Sequence, residues 1–347
     1  MPQVDCKNTD SNTHDPVLFD IHGRAVRYVR ISLTDRCNFR CIYCSSCDKI
    51  QKTIPHDDIL RYEELLELSS LLVNRGVEKI RLTGGEPFVR KGIMNFLERL
   101  HKAHPELLIS LTSNGSLLKP YLQGLKDLGI KSLNISLDSL NPQRFEQITG
   151  SDSLSKVREA IDSALDIGLN IKINAVALRR FNKDELKDFL ELAMNNPLEV
   201  RFIEYMPMGG HEPWLDSNFW AAEDILAEAK NYVTLKAQDK KDPRSGPAKS
   251  FEIVGGKGRF GLITPLSNHF CFQCNRLRIT ADGRLRTCLF SEKEYKVREL
   301  LRHSKLGIKF VDKLFTQAIK HKPIGFDLLE AKKAAKTTGR KMNAIGG

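Results

Sequence analysis

Apolar residues follow two alternating patterns between residues 26 and 206 of this 347-residue chain. Short runs of apolar and β-branched residues predict β-strands, and these runs are VRYVRISL, KIRLTGG, LLISLTSNG, SLNISLD, NIKINAVAL and EVRFIEYM. Between them, apolar residues recur at steps of three and four and predict amphipathic helices, for example over 62–76, 154–168 and 184–195. Six strand–helix units in this order indicate a parallel β/α architecture.

The number of these units limits the fold. Six are fewer than the eight that close a β/α barrel, so we expect an incomplete (β/α)6 barrel over residues 21–235. A doubly wound sheet is the alternative. Residues 1–20 form a polar N-terminal tail outside this unit.

The alternation of strands and helices ends after the sixth strand. A helix is predicted over 218–230, and the polar stretch KAQDKKDPRSGPAKS predicts a loop and a domain boundary over 236–250. A C-terminal region over 251–336 follows, and residues 337–347 form a tail that ends in Gly-Gly. Helical patterns in the C-terminal region cover 292–301 and 310–320.

Composition and charge narrow the class of protein. Apolar residues make up 41% of the chain and charged residues 28%, as in a globular protein with a sizeable core. No apolar run approaches the roughly 18–20 residues of a membrane helix, and the polar N-terminus lacks a secretory signal, so we expect a cytoplasmic protein without membrane contact. The net charge of +11 favours an acidic partner, but the basic residues are spread along the chain, which argues against an extended nucleic-acid interface.

The eight cysteines are unevenly distributed. Six fall into two groups of three, which are Cys37, Cys41 and Cys44, and then Cys271, Cys274 and Cys288. Structural disulfides are uncommon in the cytoplasm, so clustered thiols indicate a metal site. Three thiolates are one short of the four that fill a [4Fe–4S] cluster, and a structural zinc site also needs four ligands. Iron–sulfur, zinc with a histidine such as His269, and unmetallated thiols all remain open on spacing alone.

The sequence around the first group resembles the radical S-adenosylmethionine (SAM) superfamily. Its spacing is Cys-x3-Cys-x2-Cys with Tyr43 before the last cysteine, and TGGEP follows about forty residues later at a strand end. The resemblance implies that these cysteines hold a [4Fe–4S] cluster whose fourth iron binds SAM. One electron from such a cluster would cleave SAM and release a 5′-deoxyadenosyl radical.

The sequence around the second group resembles the GTP 3′,8-cyclases of molybdenum-cofactor biosynthesis. The segment GRFGLITPLSNHFCFQCNRLRITADGRLRTCLF and the terminal IGG carry this resemblance, which extends from about Gly23 over some nine-tenths of the chain. It implies an incomplete (β/α)6 barrel with a second [4Fe–4S] cluster in a C-terminal layer. It also implies radical cyclisation of GTP as the reaction, with hydrogen taken from C3′ and a new bond formed to C8.

The resemblance assigns roles to individual residues. The two cysteine groups would hold the first and the second cluster. The residues expected at SAM are Tyr43, Gly85, Ser136 and Met206. The residues expected at GTP are Arg30, Arg81, Thr112, Lys172, Arg276, Leu277 and Arg278. Those expected to act in catalysis, besides the first cysteine group, are Arg276, Arg278, Gly346 and Gly347.

Some of these residues also have ordinary structural interpretations. Arg30 and Lys172 lie in otherwise apolar strands and could be exposed charges, while Met206 taken alone would be a core residue. Helices cover the outside of a β/α barrel, however, so a basic residue within a strand is expected to face the interior. A triphosphate there would need several cations, preferably arginines that bind phosphate through two hydrogen bonds.

The expected partners are GTP, a flavodoxin- or ferredoxin-like electron donor and a downstream pyranopterin-forming enzyme, with the chain as a monomer or homodimer. Two alternatives remain: a radical SAM enzyme that matures peptides or modifies RNA, and a zinc-binding or electron-transfer protein. One departure from the family concerns Cys47 in CSSCDK, which has no counterpart there. We predict that Cys47 is not a cluster ligand in the active state, and we assign no role to Cys6.

Overall fold

The computed structural model describes residues 17–44, 53–206, 218–239 and 246–328, together with Met342 and Ile345. Its strands, β1 to β12 in chain order, are Tyr28–Ser32, Lys79–Thr83, Leu108–Ser113, Ser132–Ser136, Asn170–Ala177, Glu199–Glu204, Leu235–Gln238, Lys249–Ile253, Arg259–Ile263, Arg276–Ile279, Arg284–Arg286 and Tyr295–Lys296. The α-helices with bounds in this part of the chain, α1 to α10, are Tyr62–Asn74, Ile93–Ala103, Leu122–Asp127, Pro142–Thr149, Leu154–Asp166, Arg179–Asn182, Leu186–Asn195, Ala222–Ala229, Val297–Leu301 and Gly307–Lys320.

Strands β1 to β6 lie side by side in chain order and pair in parallel, with at least one helix between successive strands. The strand order of the whole sheet is β12-β11-β10-β1-β2-β3-β4-β5-β6-β9-β8-β7. A doubly wound sheet would reverse its order among the strands of the parallel unit, whereas β1 to β6 follow one another in chain order without a reversal. The prediction of an incomplete (β/α)6 barrel is therefore confirmed.

The chain after β6 contributes strands to both edges of this parallel unit. Strand β9 pairs in parallel with β6, and β10 pairs in parallel with β1. Antiparallel strands β8 and β7 continue beyond β9, while β11 and β12 continue beyond β10. Strands β7 to β12 therefore extend the barrel sheet on both sides, and β9 and β10 satisfy backbone groups that an open edge would leave unpaired.

The outer face of the sheet forms the main core with the surrounding helices. Each of the six barrel strands places fully buried apolar side chains there, such as Ile31 on β1 and Ile173 on β5. Helix α5 buries Val157, Ala160 and Ile161 at steps of three and one, as an amphipathic helix packed on a sheet does. The apolar periodicity of the sequence thus identifies the outer face, which leaves the inner face to polar residues.

Capping signals explain where some helices begin and end. The Asn141 side chain accepts a hydrogen bond from Arg144 N at 3.1 Å, and Pro142 occupies the first helical position of α4. Gly150 ends that helix with a φ of +66°, a left-handed conformation that glycine adopts without strain.

The structure corrects three predicted boundaries. The segment 236–250 is not wholly a loop, because β7 and β8 reach into it from both sides. The pattern over 292–301 contains β12 followed by the short helix α9, and the helix predicted over 218–230 is α8, which is shorter. Strand β7 has only four residues and none of them is buried, so the apolar signal by which a strand is detected is weak there. Within the described ranges, no helix has both the length and the apolar character needed to cross a membrane.

Candidate active site

Successive side chains of a strand point to opposite faces of the sheet. The apolar side chains of the barrel strands point outward into the core, and the residues between them, many of which are polar, point inward. Val29 packs into the main core, whereas its neighbour Arg30 faces the interior of the barrel. Arg30 is in register with Arg81 on β2 and with Arg278 on β10, so the three arginines lie side by side across three strands. Arg30 and Lys172, the basic residues expected within barrel strands, are therefore interior residues.

The interior forms a cavity of about 370 Å³, within the range of roughly 300–1,000 Å³ typical of ligand pockets. All six cysteines of the two groups line it. Cys37 lies five residues beyond the carboxyl end of β1, whereas Cys274 lies two residues before β10, whose first residue is in register with Tyr28 at the amino end of β1. The two cysteine groups thus approach the cavity from opposite ends of β1.

Positive charge dominates the cavity wall. Seven cationic side chains line it in the described part of the chain: Arg30, Lys79, Arg81, Lys172, Arg201, Arg276 and Arg278. One carboxylate in the lining, that of Glu204, accepts hydrogen bonds from the backbone N–H groups of Ala222, Leu266 and Ser267 at 2.9–3.0 Å. Glu204 therefore anchors loops, and the remaining charge favours a ligand with several negative charges.

Tyr28 lies among four of these cations. Its hydroxyl accepts a hydrogen bond from Arg81 Nε at 2.7 Å, and the Lys79 ammonium lies 5.2 Å from the centre of its ring. Burial alone would raise the pKa of Tyr28, but Arg81, Arg30, Lys79 and Arg276 lower it to about 7. The field of the cations thus outweighs the desolvation of the phenolate.

Burial and neighbouring positive charge also disfavour the protonated form of individual cations in the wall. Burial, reinforced by Arg201, lowers the pKa of Lys172 to about 8, and burial lowers the pKa of Arg30 to about 10. Burial together with neighbouring arginines lowers the pKa of Arg278 in the same direction. A polyanion bound between them would relieve this repulsion, because opposite charges in a low-dielectric interior attract strongly.

The first cysteine group lies in a loop after β1. The Cys37 sulfur accepts hydrogen bonds from Phe39 N at 3.4 Å and from Asn114 Nδ2 at 3.8 Å. Burial raises the pKa of Cys37 and, more strongly, that of Cys41, where Asp138 adds to the effect. These thiols favour the neutral form unless a metal centre compensates the thiolate charge.

Two buried carboxylates support this loop and the one after β2. The Tyr43 hydroxyl donates to Asp138 Oδ2 at 2.6 Å, and Val176 N donates to Asp138 Oδ1 at 2.8 Å. Glu86 accepts hydrogen bonds from Asn114 N at 2.7 Å and from Phe88 N at 3.1 Å. Burial raises the pKa of Asp138 to about 6 and that of Glu86 to about 7.

Gly85 lies where the TGGEP loop meets the cysteine loop. Its N–H donates to Thr34 O at 2.6 Å, and a Cβ at this position would lie 2.1 Å from Arg36 O. A side chain cannot fit there without displacing backbone. The glycine is therefore required by the contact between the two loops, whatever it does for a ligand.

The second cysteine group differs from the first in its charge environment. Burial raises the pKa of Cys271, whereas that of Cys274 is lowered to about 6 because Arg276 and Lys322 outweigh the effect of burial. Gly325 closes the group on one side, since a Cβ there would lie 2.7 Å from Cys288 Sγ. This pocket is shaped around its sulfur atoms and stabilises thiolate at Cys274.

Each cysteine group fits a [4Fe–4S] cluster with one iron left for another ligand. None of the six cysteines is in a disulfide, and the thiols in each group are close enough to affect one another's pKa. In the part of the chain that the structure describes, no set of three or more Cys, His, Asp or Glu side chains surrounds a single ion position. A cluster takes one thiolate per iron, so its ligands need not converge on one point.

The structure brings most of the predicted site residues together. Apart from one residue, every predicted site residue that the structure describes lines the same cavity. The exception is Leu277, whose side chain is fully buried in the main core on the other face of β10. Alternation along the strand places Arg276 and Arg278 inside and turns Leu277 away. Cys6, Cys47, Gly346 and Gly347 lie outside the described residues.

Several residues of the cavity were not predicted. Lys79 and Arg201 are interior cations, Tyr28 is an interior phenol, and Asn134 and Asn174 are interior amides. Tyr28, Lys79, Asn134 and Asn174 each lie two positions from a predicted residue on the same strand, and Arg201 is in register with Asn174. The alternation of side chains along a strand, which places every second residue on the same face, was therefore the signal that could have identified them.

Two family models match the chain. A model described as the Radical SAM superfamily matches residues 31–193, and one described as Molybdenum Cofactor Synthesis C matches residues 198–328. The chain is 40% identical over 329 residues to the GTP 3′,8-cyclase of Alkaliphilus oremlandii (strain OhILAs), with 94% of this chain and 99% of that protein covered. It is 46% identical over 280 residues to the GTP 3′,8-cyclase of Peptoclostridium acidaminophilum, with 80% and 85% covered.

Among solved structures, Streptococcus suis SuiB is similar, with a TM-score of 0.58 and 14% sequence identity. The match covers 88% of this chain and 68% of that chain. At this level of identity the likeness concerns the fold alone.

Proposed function

This chain belongs to the GTP 3′,8-cyclase family of radical SAM enzymes, and from that premise we propose how its residues carry out the reaction. The enzyme converts GTP into (8S)-3′,8-cyclo-7,8-dihydroguanosine 5′-triphosphate, a carbon–carbon bond-forming lyase reaction that begins molybdenum-cofactor biosynthesis. Its cofactors are SAM and [4Fe–4S] clusters. The observation that carries the residue assignments is that two groups of three cysteines flank one cavity lined by cations.

The first cysteine group is proposed to hold the cluster that binds SAM. Gly85, Ser136 and Met206 lie at or just beyond the carboxyl ends of strands, where β/α barrels bind their ligands, and Tyr43 lies in the loop that follows β1. When bound, this cluster and SAM supply one-electron cleavage of SAM and removal of the hydrogen atom at C3′ of the ribose. The residues themselves hold SAM at one end of the cavity and orient it toward GTP.

The cationic wall is proposed to bind the triphosphate. Arg30, Arg81 and Lys172 face the cavity from three strands, and Arg81 also donates to Thr112 Oγ1 at 3.3 Å. Arginine binds phosphate through two hydrogen bonds and fixes its orientation. We add Lys79 and Arg201 to this set, because both lie in the same wall.

The second cysteine group is proposed to hold a cluster beside the guanine base, with Arg276 and Arg278 next to it. A nucleotide held by its triphosphate at the cationic wall and by its base at this end has little freedom to move. Such positioning places C3′ near SAM and C8 within reach of C3′. The entropic cost of bringing the reacting groups together is then met on binding rather than in the reaction step. These groups act mainly by orientation.

The remaining assignments concern segments and partners. Residues 21–235 would form the radical SAM unit and 251–336 the C-terminal region, while Gly346 and Gly347 would reach the site and assist catalysis. A flavodoxin- or ferredoxin-like protein is proposed as electron donor, and a pyranopterin-forming enzyme in the same cytoplasm as the consumer of the product. The reaction needs one electron to cleave SAM and one to reduce the cyclised nucleotide, and a donor of this kind would supply both.

Anaerobic reconstitution tests the residue assignments. We expect about eight irons and eight sulfides per chain, which correspond to two [4Fe–4S] clusters. Replacing Cys37, Cys41 and Cys44 by Ala should leave about four irons and abolish SAM cleavage, while the same replacement at Cys271, Cys274 and Cys288 should abolish cyclisation of GTP. Zinc in place of iron, or full activity in either triple variant, would contradict the assignment.

A further inference from the structure

A buried lysine lies beside the second cysteine group. The Lys322 side chain, which follows helix α10, is only 1% exposed. Its ammonium donates a hydrogen bond to Thr287 O at 2.7 Å and lies 3.7 Å from Cys274 Sγ, within hydrogen-bond distance of a sulfur acceptor. Thr287 directly precedes Cys288, so one ammonium contacts two of the three cysteine segments.

A second buried cation secures the third segment. Arg24 donates from Nη1 to Cys271 O at 2.7 Å and from Nη2 to Lys322 O at 2.8 Å. Its Nε is paired with Asp20 Oδ2 at 2.5 Å. Arg24 has a carboxylate of its own and contacts the cysteine segment through the backbone, whereas Lys322 contacts a cysteine sulfur directly.

The charge on Lys322 needs a counter-charge. Burying an ammonium is costly unless it is paired and hydrogen-bonded. Within the described residues, no ion pair joins Lys322 to a carboxylate, and the acceptors that it contacts are the Thr287 carbonyl and the Cys274 sulfur. The negative charge that the ammonium faces is therefore thiolate at Cys274 and whatever that thiolate binds.

We propose that Lys322 is a positioning residue that orients Cys274 and raises the reduction potential of the second cluster. This inference rests on the proposed assignment of Cys271, Cys274 and Cys288 as ligands of that cluster. Hydrogen bonds to ligand sulfurs and nearby positive charge stabilise the reduced, more negative state of an iron–sulfur cluster. The first group offers a contrast, since its Cys37 sulfur accepts from the neutral donors Phe39 N and Asn114 Nδ2.

Redox titration of the full-length, reconstituted protein tests the proposal. The second cluster is observed by electron paramagnetic resonance in a background where Cys37, Cys41 and Cys44 are Ala. In that background, Lys322→Met replaces the ammonium by an apolar chain of similar length. We expect at least a tenfold smaller equilibrium constant for one-electron reduction, which is a shift of about 59 mV to lower potential. Lys320→Met, at the exposed end of α10, is the matched control and should leave the potential unchanged.

The outcomes separate this proposal from the assignment of the site. If the background protein binds no iron, the cluster assignment itself fails, whatever Lys322 does. If Lys322→Met retains about four irons at an unchanged potential, the role of Lys322 is refuted. If Lys322→Met does not retain the cluster, Lys322→Arg, which keeps the charge, is expected to retain it near the original potential. Loss of the cluster from the Arg variant as well would overturn the proposal.

Discussion

Gly85→Ala should release the first cluster while the fold remains intact. An ideal Cβ at Gly85 would lie 2.1 Å from Arg36 O and 2.8 Å from Asp35 O. Both are backbone atoms of the loop that leads directly into Cys37, so no side-chain rotation can relieve the overlap. The loop itself must move, and the first cysteine moves with it.

The size of the effect follows from the geometry of the overlap. Overpacking of this kind costs about 1–3 kcal/mol, and contact with backbone places Gly85→Ala at the upper end of that range. This free energy corresponds to a binding constant for the first cluster that is roughly 5- to 150-fold smaller. It is smaller than the total stability of about 5–15 kcal/mol that folded domains have, so the chain should stay folded.

Iron content after exposure to a chelator under anaerobic conditions measures this loss. The variant should fall from about eight irons per chain to about four and should lose SAM cleavage, with an unchanged circular dichroism spectrum. Gly124→Ala in α3 is the matched control, because a Cβ there meets only the flexible end of Met94 at 3.0 Å. If Gly85→Ala keeps both clusters and cleaves SAM as the original protein does, the reasoning is wrong.

Two further predictions concern the cavity wall and the strand next to it. Tyr28 has a pKa lowered to about 7 by neighbouring cations, and a bound triphosphate would neutralise those cations and raise it again. GTP affinity should therefore fall as pH rises through about 7, and binding should take up protons from solution. Calorimetry in buffers of different ionisation enthalpy should find less proton uptake in Tyr28→Phe than in the original protein. Equal uptake in both proteins would contradict this prediction. Leu277→Ala should cost about 2–5 kcal/mol of stability in thermal or denaturant unfolding, because the side chain is buried in the core. Its GTP affinity should remain that of the original protein, and a large loss would show that the side chain contacts the nucleotide.

The barrel was predictable because its signals are local and repeated. Alternating apolar runs and amphipathic helices recur six times, and the structure contains those six units in chain order. The pairing of β9 and β10 with the edges of the barrel was not predictable, since which strand joins which edge depends on contacts between residues far apart in the chain. Arg276 on β10 is in register with Tyr28 on β1, some 250 positions away, and no local pattern encodes that.

The candidate site was predictable where a motif carried it and incomplete elsewhere. The cysteine spacings located both groups, and the family resemblance supplied five of the seven cations that line the described cavity wall. Leu277 was included with its two arginine neighbours, although the alternation of a strand turns it to the opposite face. Lys322 was missed because it belongs to no motif. Its importance appears only when the chain brings it against Cys274, 48 positions away.

Transfer of a labelled hydrogen tests the central claim most directly. The reconstituted protein is incubated anaerobically with SAM, a reductant and GTP that carries deuterium at C3′. If this chain cyclises GTP as its family does, the 5′-deoxyadenosine formed contains deuterium, and an isomer of GTP that lacks the label accumulates with it. Unlabelled 5′-deoxyadenosine, or SAM cleavage that does not depend on GTP, would contradict the account.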